Sequence, residues 1–238
     1  SMDYNTEAGP TKYLVGTEQG AVLSINLRNK KDNGITCHDM GAGKHHGPIY
    51  SLQRNPANAK CFLTVGDWTV RLWNEELRAP IMTSKYFKNY LLDAAWSPTR
   101  PGVFLTTKMD GTLDVWDYFY KQNDPTLSLQ VDGDGLRSVR MQDQGSLLAT
   151  GSVDGSIYML ELCEGLAVMQ SNEKNSVNHM RDLTAEGVSI EEARKYLGRF
   201  GLSGDLALNP IRVLSGGQKS RLAFAELAWR SPHILLLD

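Results

Sequence analysis

The sequence lacks the features from which composition alone would announce a function. It has no charge excess: 25 lysines and arginines stand against 27 aspartates and glutamates, a net charge of −2. That removes any electrostatic case for nucleic acid, including DNA, or for a membrane surface. No apolar run approaches the roughly 18 residues that a membrane span needs. The opening residues, SMDYNTEAGP, are polar and read as no secretory signal. Residues 1–10 are therefore expected to be disordered. Cysteine is scarce: Cys37, Cys61 and Cys163 lie far apart, make no C-x-x-C pair and are odd in number. This argues against a disulfide framework and points to a reducing compartment, the cytoplasm. The one histidine group, His38, His45 and His46, has no partner set at ligand spacing, so no metal is expected there.

What is present is a repeat. Four stretches align: LVGTEQGAVLSIN from residue 14, LTVGDWTVRLWN from 63, LTTKMDGTLDVWD from 105 and LATGSVDGSIYMLE from 148. Their turn positions are Gln19, Asp67, Asp110 and Asp154, spaced by 48, 43 and 44 residues. Six residues on come Ile25, Trp73, Trp116 and Leu160. Each unit reads as a β-hairpin around an Asp-Gly-type turn. Asp110-Gly111 and Asp154-Gly155 suit a turn that needs positive φ. An apolar strand precedes each later hairpin, at 48–56, 91–98 and 136–143, whereas none is visible before the first. A fourth strand is expected downstream, at 126–131 and 166–170. Four strands per 43–48 residues predict propeller blades. Trp73, Trp96 and Trp116 then read as packing between blades. Asp67, Asp110 and Asp154 read as turn formers rather than acids.

These residues resemble WD repeats, with WTVRLWN and GTLDVWD carrying the strand ending. The phrases between repeats, among them HHGPIYSLQRNP and LLDAAWSPTRPGVFLTTKMDGTLDVWD, are similar to the C-terminal propeller of the axonemal outer-arm dynein intermediate chain 2 family. That resemblance covers about residues 11–178. It implies a non-enzymatic scaffold that partners a dynein heavy chain and other intermediate or light chains in the ciliary axoneme. The predicted fold class is mainly β, a partial WD-repeat propeller of one partial and three fuller blades. Such an arc leaves blade faces and strand edges open, so this region alone is expected to be marginal or aggregation-prone.

After about Met180 the pattern changes. Residues 179–188 read as a junction. Ser189 and Glu192 then form a capping-box start, and Ile190, Ala193, Tyr196 or Leu197, and Phe200 recur at helical spacing with Gly201 as the stop. Leu214-Ser215-Gly216-Gly217-Gln218 opens a second helix that runs to about Trp229. Ile234 to Leu237 read as a strand buried on both faces, ending at Asp238. The order LSGGQ, helix, ILLLD resembles the signature-to-Walker-B stretch of ABC ATPases. The wording of residues 182–238 is similar to the soluble ABC-F branch, and residues 189–238 read as a small α/β fragment of its nucleotide-binding domain.

That resemblance implies ATP and Mg²⁺. Amides at Gly216 and Gly217, with the Ser215 hydroxyl, would cap a γ-phosphate held by a second nucleotide-binding domain, while Gln218 fixes the loop. Asp238 would help hold Mg²⁺. A ribosome is the other implied partner. The phosphate loop G-x-x-x-x-G-K-[ST] is missing, because GAGKHH at 41–46 has His38 where glycine is needed and His45 after Lys44. No ATP hydrolysis, and no tight nucleotide binding, is expected of this chain alone. The sequence thus reads as a dynein-type scaffold joined to an incomplete ABC-F segment. The alternative is an ATP-hydrolysing ABC-F protein of translation control whose nucleotide-binding domain is truncated.

Overall fold

The computed structural model describes residues 1–4, 11–28, 34–38, 44–121, 123–169, 173 and 188–229. The chain divides into two compact units, 1–168 and 169–238, where the sequence placed the end of the propeller at 178. The first unit is four antiparallel meanders. Sheet one is β1 (Met2–Tyr4), β2 (Lys12–Gly16), β3 (Val22–Asn26) and β4 (Ile35–His38). Sheet two is β5 (Ile49–Arg54), β6 (Cys61–Gly66), β7 (Thr69–Asn74) and β8 (Met82–Thr83). Sheet three is β9 (Leu91–Trp96), β10 (Val103–Lys108), β11 (Thr112–Asp117) and β12 (Leu127–Gln130). Sheet four has, among the described residues, β13 (Leu136–Met141), β14 (Leu147–Ser152) and β15 (Ile157–Glu161). The mainly β, blade-like architecture is the one the repeat dictates.

Two local readings need correction. Met2–Tyr4 is a strand, not a disordered start: Asp3 pairs with Leu14, and Gly16 N–H donates to Ser1 O at 2.9 Å. Three residues are too few to show alternation, so tertiary pairing made this strand where pattern could not. Where a fourth strand of sheet four was expected, at 166–170, the described residues instead begin with a short helix, α1 (Glu164–Ala167), whose last N–H groups return to Cys163 and Glu164; residue 170 lies outside them. Arg100 holds it, donating to Gly165 O at 2.8 Å and to Asp117 at 2.9 Å.

The sheets stack through alternating faces. Leu14 and Val22 of sheet one pack with Leu52, Phe62 and Trp73 of sheet two. Leu63, Val65, Val70 and Leu72, on the other face of sheet two, pack with Phe104 and Trp116 of sheet three. Leu105 and Leu113 of sheet three meet Val139 and Leu148 of sheet four. Within each central hairpin an aromatic pair fills the gap: Phe62 and Trp73 stack at 5.9 Å, and Phe104 and Trp116 at 5.4 Å. Burying one such ring stabilises by about 2–3 kcal/mol.

The first strands of successive sheets lie side by side and are hooked together. Arg54 N–H donates to Asp3 at 2.6 Å, Trp96 N–H to Gln53 at 3.4 Å, and Val139 N–H to Asp93 at 3.0 Å. Hairpin glycines close the other approach. Gly20, at φ +82°, would carry a Cβ 2.1 Å from the His45 carbonyl oxygen, and Gly111, at φ +80°, one 2.1 Å from that of Asp132. No other residue fits there.

In the second unit, α2 (Ile190–Arg199) starts on a complete capping box between Ser189 and Glu192. It ends at Gly201, φ +74°, with Leu202 N–H donating to Leu197 O and Gly201 N–H to Gly198 O. This is a Schellman motif, and it brings Leu197 and Leu202 together in a small core with Ala193, Leu214, Leu222 and Ala225. Ile190, read as part of the apolar face, is half exposed, because it sits at the first turn beyond the reach of that core. The third helix, α3 (Gly216–Trp229), follows the LSGGQ stretch. The expected strand 234–237 lies outside the described residues.

Candidate functional site

Polar side chains able to do chemistry converge in sheet two, and all of them are buried. Asp67 occupies the β6–β7 turn at φ 50°, alone in the left-handed region among the described non-glycine residues. Aspartate tolerates that conformation better than most. From there its carboxylate accepts from Thr69 N–H, Thr69 O–H and His46 N–H, each at 2.8 Å. The chain before β5 delivers His45 to the same space. Its Nδ1 lies 3.3 Å from Asp67 Oδ1 and its Nε2 2.8 Å from Thr64 Oγ1. Trp73 Nε1–H donates to that same threonine oxygen at 2.8 Å.

One proton arrangement satisfies every group. Trp73 donates to Thr64, Thr64 donates to His45 Nε2, and His45 Nδ1–H donates to Asp67. None of the four residues exceeds 1% exposure. Burial lowers the His45 pKa, outweighing the opposing bond to Asp67, so the ring is neutral at neutral pH. Burial alone would raise Asp67; the bonds from His45, His46 and Thr69 outweigh it and hold the carboxyl at about 2. Arg71 stands 3.9 Å from the same carboxylate and donates to Thr69 Oγ1 at 3.3 Å. The network ties a turn, a loop and two strands together. With its atoms out of reach of solvent, it has no route to a substrate proton.

The network thins along the chain. In sheet three Trp116 Nε1–H donates to Thr106 at 3.0 Å, and the turn aspartate is met by an asparagine rather than a histidine, Asn89 donating to Asp110 at 2.7 Å. In sheet four Asp154 is exposed and only braces its own turn, accepting from Ser156 N–H and O–H at 2.8 Å. Leu160 replaces the tryptophan, and the Thr150 hydroxyl, buried at 1% exposure, has no partner among the described residues. In sheet one Gln19 and Ile25 hold the turn and tryptophan positions, and the Thr17 hydroxyl bridges Ala21 instead. Sequence reasoning singled out Asp67, Trp73, Asp110, Trp116 and Asp154. It missed Thr64, Thr106 and Thr150, which face the Trp73, Trp116 and Leu160 strands, and it set His45 aside. The signal was a threonine recurring nine or ten residues before Trp73, Trp116 and Leu160. His38 lies elsewhere, its Nδ1 2.7 Å from Leu77 O and its ring edge-on to Phe62 and Trp73.

In the second unit the signature residues start α3. Gln218 N–H donates to Ser215 Oγ at 3.3 Å, and Ser215 N–H donates to Gln218 Oε1 at 2.8 Å, a reciprocal cap. Leu214 is buried beneath it. Added Cβ atoms at Gly216 and Gly217 would meet nothing within 4 Å, so the helix start is open on that side. Asp238 lies outside the described residues, and no group of metal-ligating side chains occurs among those described.

Comparison with known proteins agrees with this geometry. The family model described as the dynein axonemal intermediate chain 3 WD40 domain matches residues 4–162. A second, described as ABC transporter, matches residues 136–238. The two overlap on β13 to β15, which are antiparallel and stack on sheet three as a propeller blade does. The ciliary dynein intermediate chain 3 of Heliocidaris crassispina is 53% identical over 198 residues, covering 82% of this chain and 32% of the relative. Human dynein axonemal intermediate chain 2 is 52% identical over 187 residues, 78% of this chain and 30% of the relative. The 70 kDa flagellar outer-arm intermediate chain of Chlamydomonas reinhardtii is 46% identical over 198 residues, 82% of this chain and 34% of the relative. The chain thus spans about a third of the length of these relatives. With a family model over two thirds of its residues, and sheets, turns and inter-sheet packing that follow that pattern, the chain belongs to the family of dynein axonemal intermediate chain WD40 domains.

Proposed function

We propose that residues 1–168 are a non-catalytic docking scaffold of an axonemal dynein, holding a heavy chain and companion intermediate or light chains in the cilium. The carrying observation is the fate of the candidate catalytic groups. His45, Asp67, Thr64 and Thr69 are buried and spent on one another, so what the unit offers to the outside is surface rather than chemistry. The relatives' names, ciliary and flagellar outer-arm dynein intermediate chains, support the same reading. The test is co-sedimentation of the purified chain with outer-arm dynein heavy-chain tail. Saturable, stoichiometric binding is expected. Binding no tighter than that of an unrelated propeller overturns the proposal.

For residues 189–238 a second reading, an ABC-F type segment, rests on the reciprocal Ser215–Gln218 cap and the open glycine helix start. Those residues fit one flank of a nucleotide's phosphates, where the phosphate oxygens of Mg²⁺-bound ATP would supply the negative charge for Gly216 and Gly217 amides to meet. The lysine-bearing loop that would hold the nucleotide itself has no counterpart in this sequence. A partner nucleotide-binding domain, alone or on a ribosome, would have to provide it.

A further inference from the structure

The turn-bearing end of sheets two and three carries aromatic side chains that the core does not use. Both sheets have a neighbour on each face, so their inter-sheet faces are filled and this end looks outward. In the β6–β7 turn Trp68 stacks on Tyr90, ring centroids 4.5 Å apart. The loop between β8 and β9 is fixed over that turn, because Phe87 N–H donates to Trp68 O at 3.0 Å. Phe87 points in, edge-on to Trp116. Its neighbours point out: Tyr86 is 60% exposed, and Lys88 is exposed too. The Tyr86 ring lies 6.3 Å from that of exposed His46. Met109, in the β10–β11 turn and 60% exposed, continues the row, its N–H donating to Tyr90 O at 2.9 Å. None of Trp68, Tyr86, Tyr90 and Met109 belongs to the inter-sheet cores. Exposed apolar rows of this kind mark interaction surfaces, and stacked rings of Trp and Tyr offer large contact area at low entropic cost.

Charge changes sign along the row. At the Tyr86 end Lys88 makes no ion pair among the described residues, whereas Lys85 and Lys108 are held by Asp124 and Asp114. Beyond Met109 lies the loop 132–135, packed on the β10–β11 turn: a Cβ on Gly135 would meet the Met109 backbone at 3.0 Å. This loop carries Asp132 and the exposed Asp134. Asp110, between the two ends, is already met by Asn89. An apolar middle with a cation at one end and carboxylates at the other is complementary to a peptide of the reverse order. Nucleic acid bases could stack on the same rings, but their phosphates would meet Asp132 and Asp134.

We propose that this row docks a polypeptide segment with an aromatic or aliphatic centre, acidic residues on the Lys88 side and basic residues on the Asp134 side. The rings supply the affinity, and the two charges fix the direction in which the segment lies. Any chain bearing such a segment would serve, so the test needs no heavy chain and is separate from that of the scaffold. The probe is a phage-displayed library of random peptides, roughly 12 residues long, selected on the full chain. Enriched peptides are expected to carry the apolar centre with acidic residues on one side and basic residues on the other. As synthetic peptides, followed by fluorescence anisotropy, they should bind Tyr86→Ala about tenfold or more weakly than the unaltered chain. Met109→Asp serves if Tyr86→Ala unfolds, as judged by near-ultraviolet circular dichroism. Selection repeated on Lys88→Glu should lose the acidic residues from the enriched peptides. Tyr120→Ala, at the far end of β11 and 73% exposed, should leave binding unchanged. No enrichment, peptides without this charge order, affinity indifferent to Tyr86 and Met109, or displacement of the peptides by a single-stranded oligonucleotide overturns the proposal.

Discussion

The thinning polar network makes a graded prediction that ends in a change of sign. Thr64, Thr106 and Thr150 occupy equivalent places in sheets two, three and four, and all three are at most 1% exposed. Thr64 serves two partners, Trp73 Nε1–H and His45 Nε2. Replacing it by valine keeps the shape and leaves both partners buried and unmet. At about 1–3 kcal/mol for each orphaned group, allowing for partial relaxation, the loss is about 2–4 kcal/mol. Thr106 serves Trp116 alone, so Thr106→Val should cost about 1–2 kcal/mol. Thr150 serves no partner among the described residues, and there its hydroxyl is an uncompensated burden. Thr150→Val should be neutral or stabilising by up to about 1 kcal/mol. The assay is equilibrium urea unfolding of the full chain followed by tryptophan fluorescence. With a slope of about 2 kcal/mol/M, Thr64→Val shifts the midpoint by about 1–2 M. If Thr150→Val destabilises as much as Thr64→Val, the hydrogen-bond reasoning fails and local packing is setting the stability.

Acid should loosen the first unit in two steps. The lowered His45 pKa means the unfolded chain binds the extra proton, so that contribution is present above about pH 6.5 and is lost as pH falls below it. Asp67, depressed to about 2, adds on the order of 2 kcal/mol above about pH 4, which disappears between pH 4 and 2. Thermal melts from pH 8 to 3 check this, and His45→Gln should flatten the upper step. Gly20→Ala should disrupt the junction of sheets one and two by more than about 2 kcal/mol, because the turn requires positive φ and the new methyl meets the His45 carbonyl. Limited proteolysis should then cut within residues 11–48 first.

How much was legible follows from range. Hairpins at Asp67, Asp110 and Asp154 showed because turn chemistry and alternation are local. Both caps of α2 showed for the same reason: Ser189, Glu192 and Gly201 act within a few residues of themselves. Met2–Tyr4 did not show, since only pairing with β2 and the bond from Arg54 make it a strand. The stretch after β15 was misread because Leu166, Ala167 and Val168 suit a strand, while Arg100, more than sixty residues earlier, holds the turn they form. His45 was passed over because its partners, Thr64 and Asp67, come from a later sheet's turn and strand.

The hooks between first strands have an evolutionary reading. In each, a side chain accepts from a main-chain amide, which every residue except proline possesses. The hook itself is therefore indifferent to the side chains at 54, 96 and 139, which packing and ion pairing constrain instead, whereas positions 3, 53 and 93 must keep an oxygen in reach. The two ends of each hook are thus constrained for different reasons, the holding residue by its oxygen and the held residue by what its side chain packs against or pairs with.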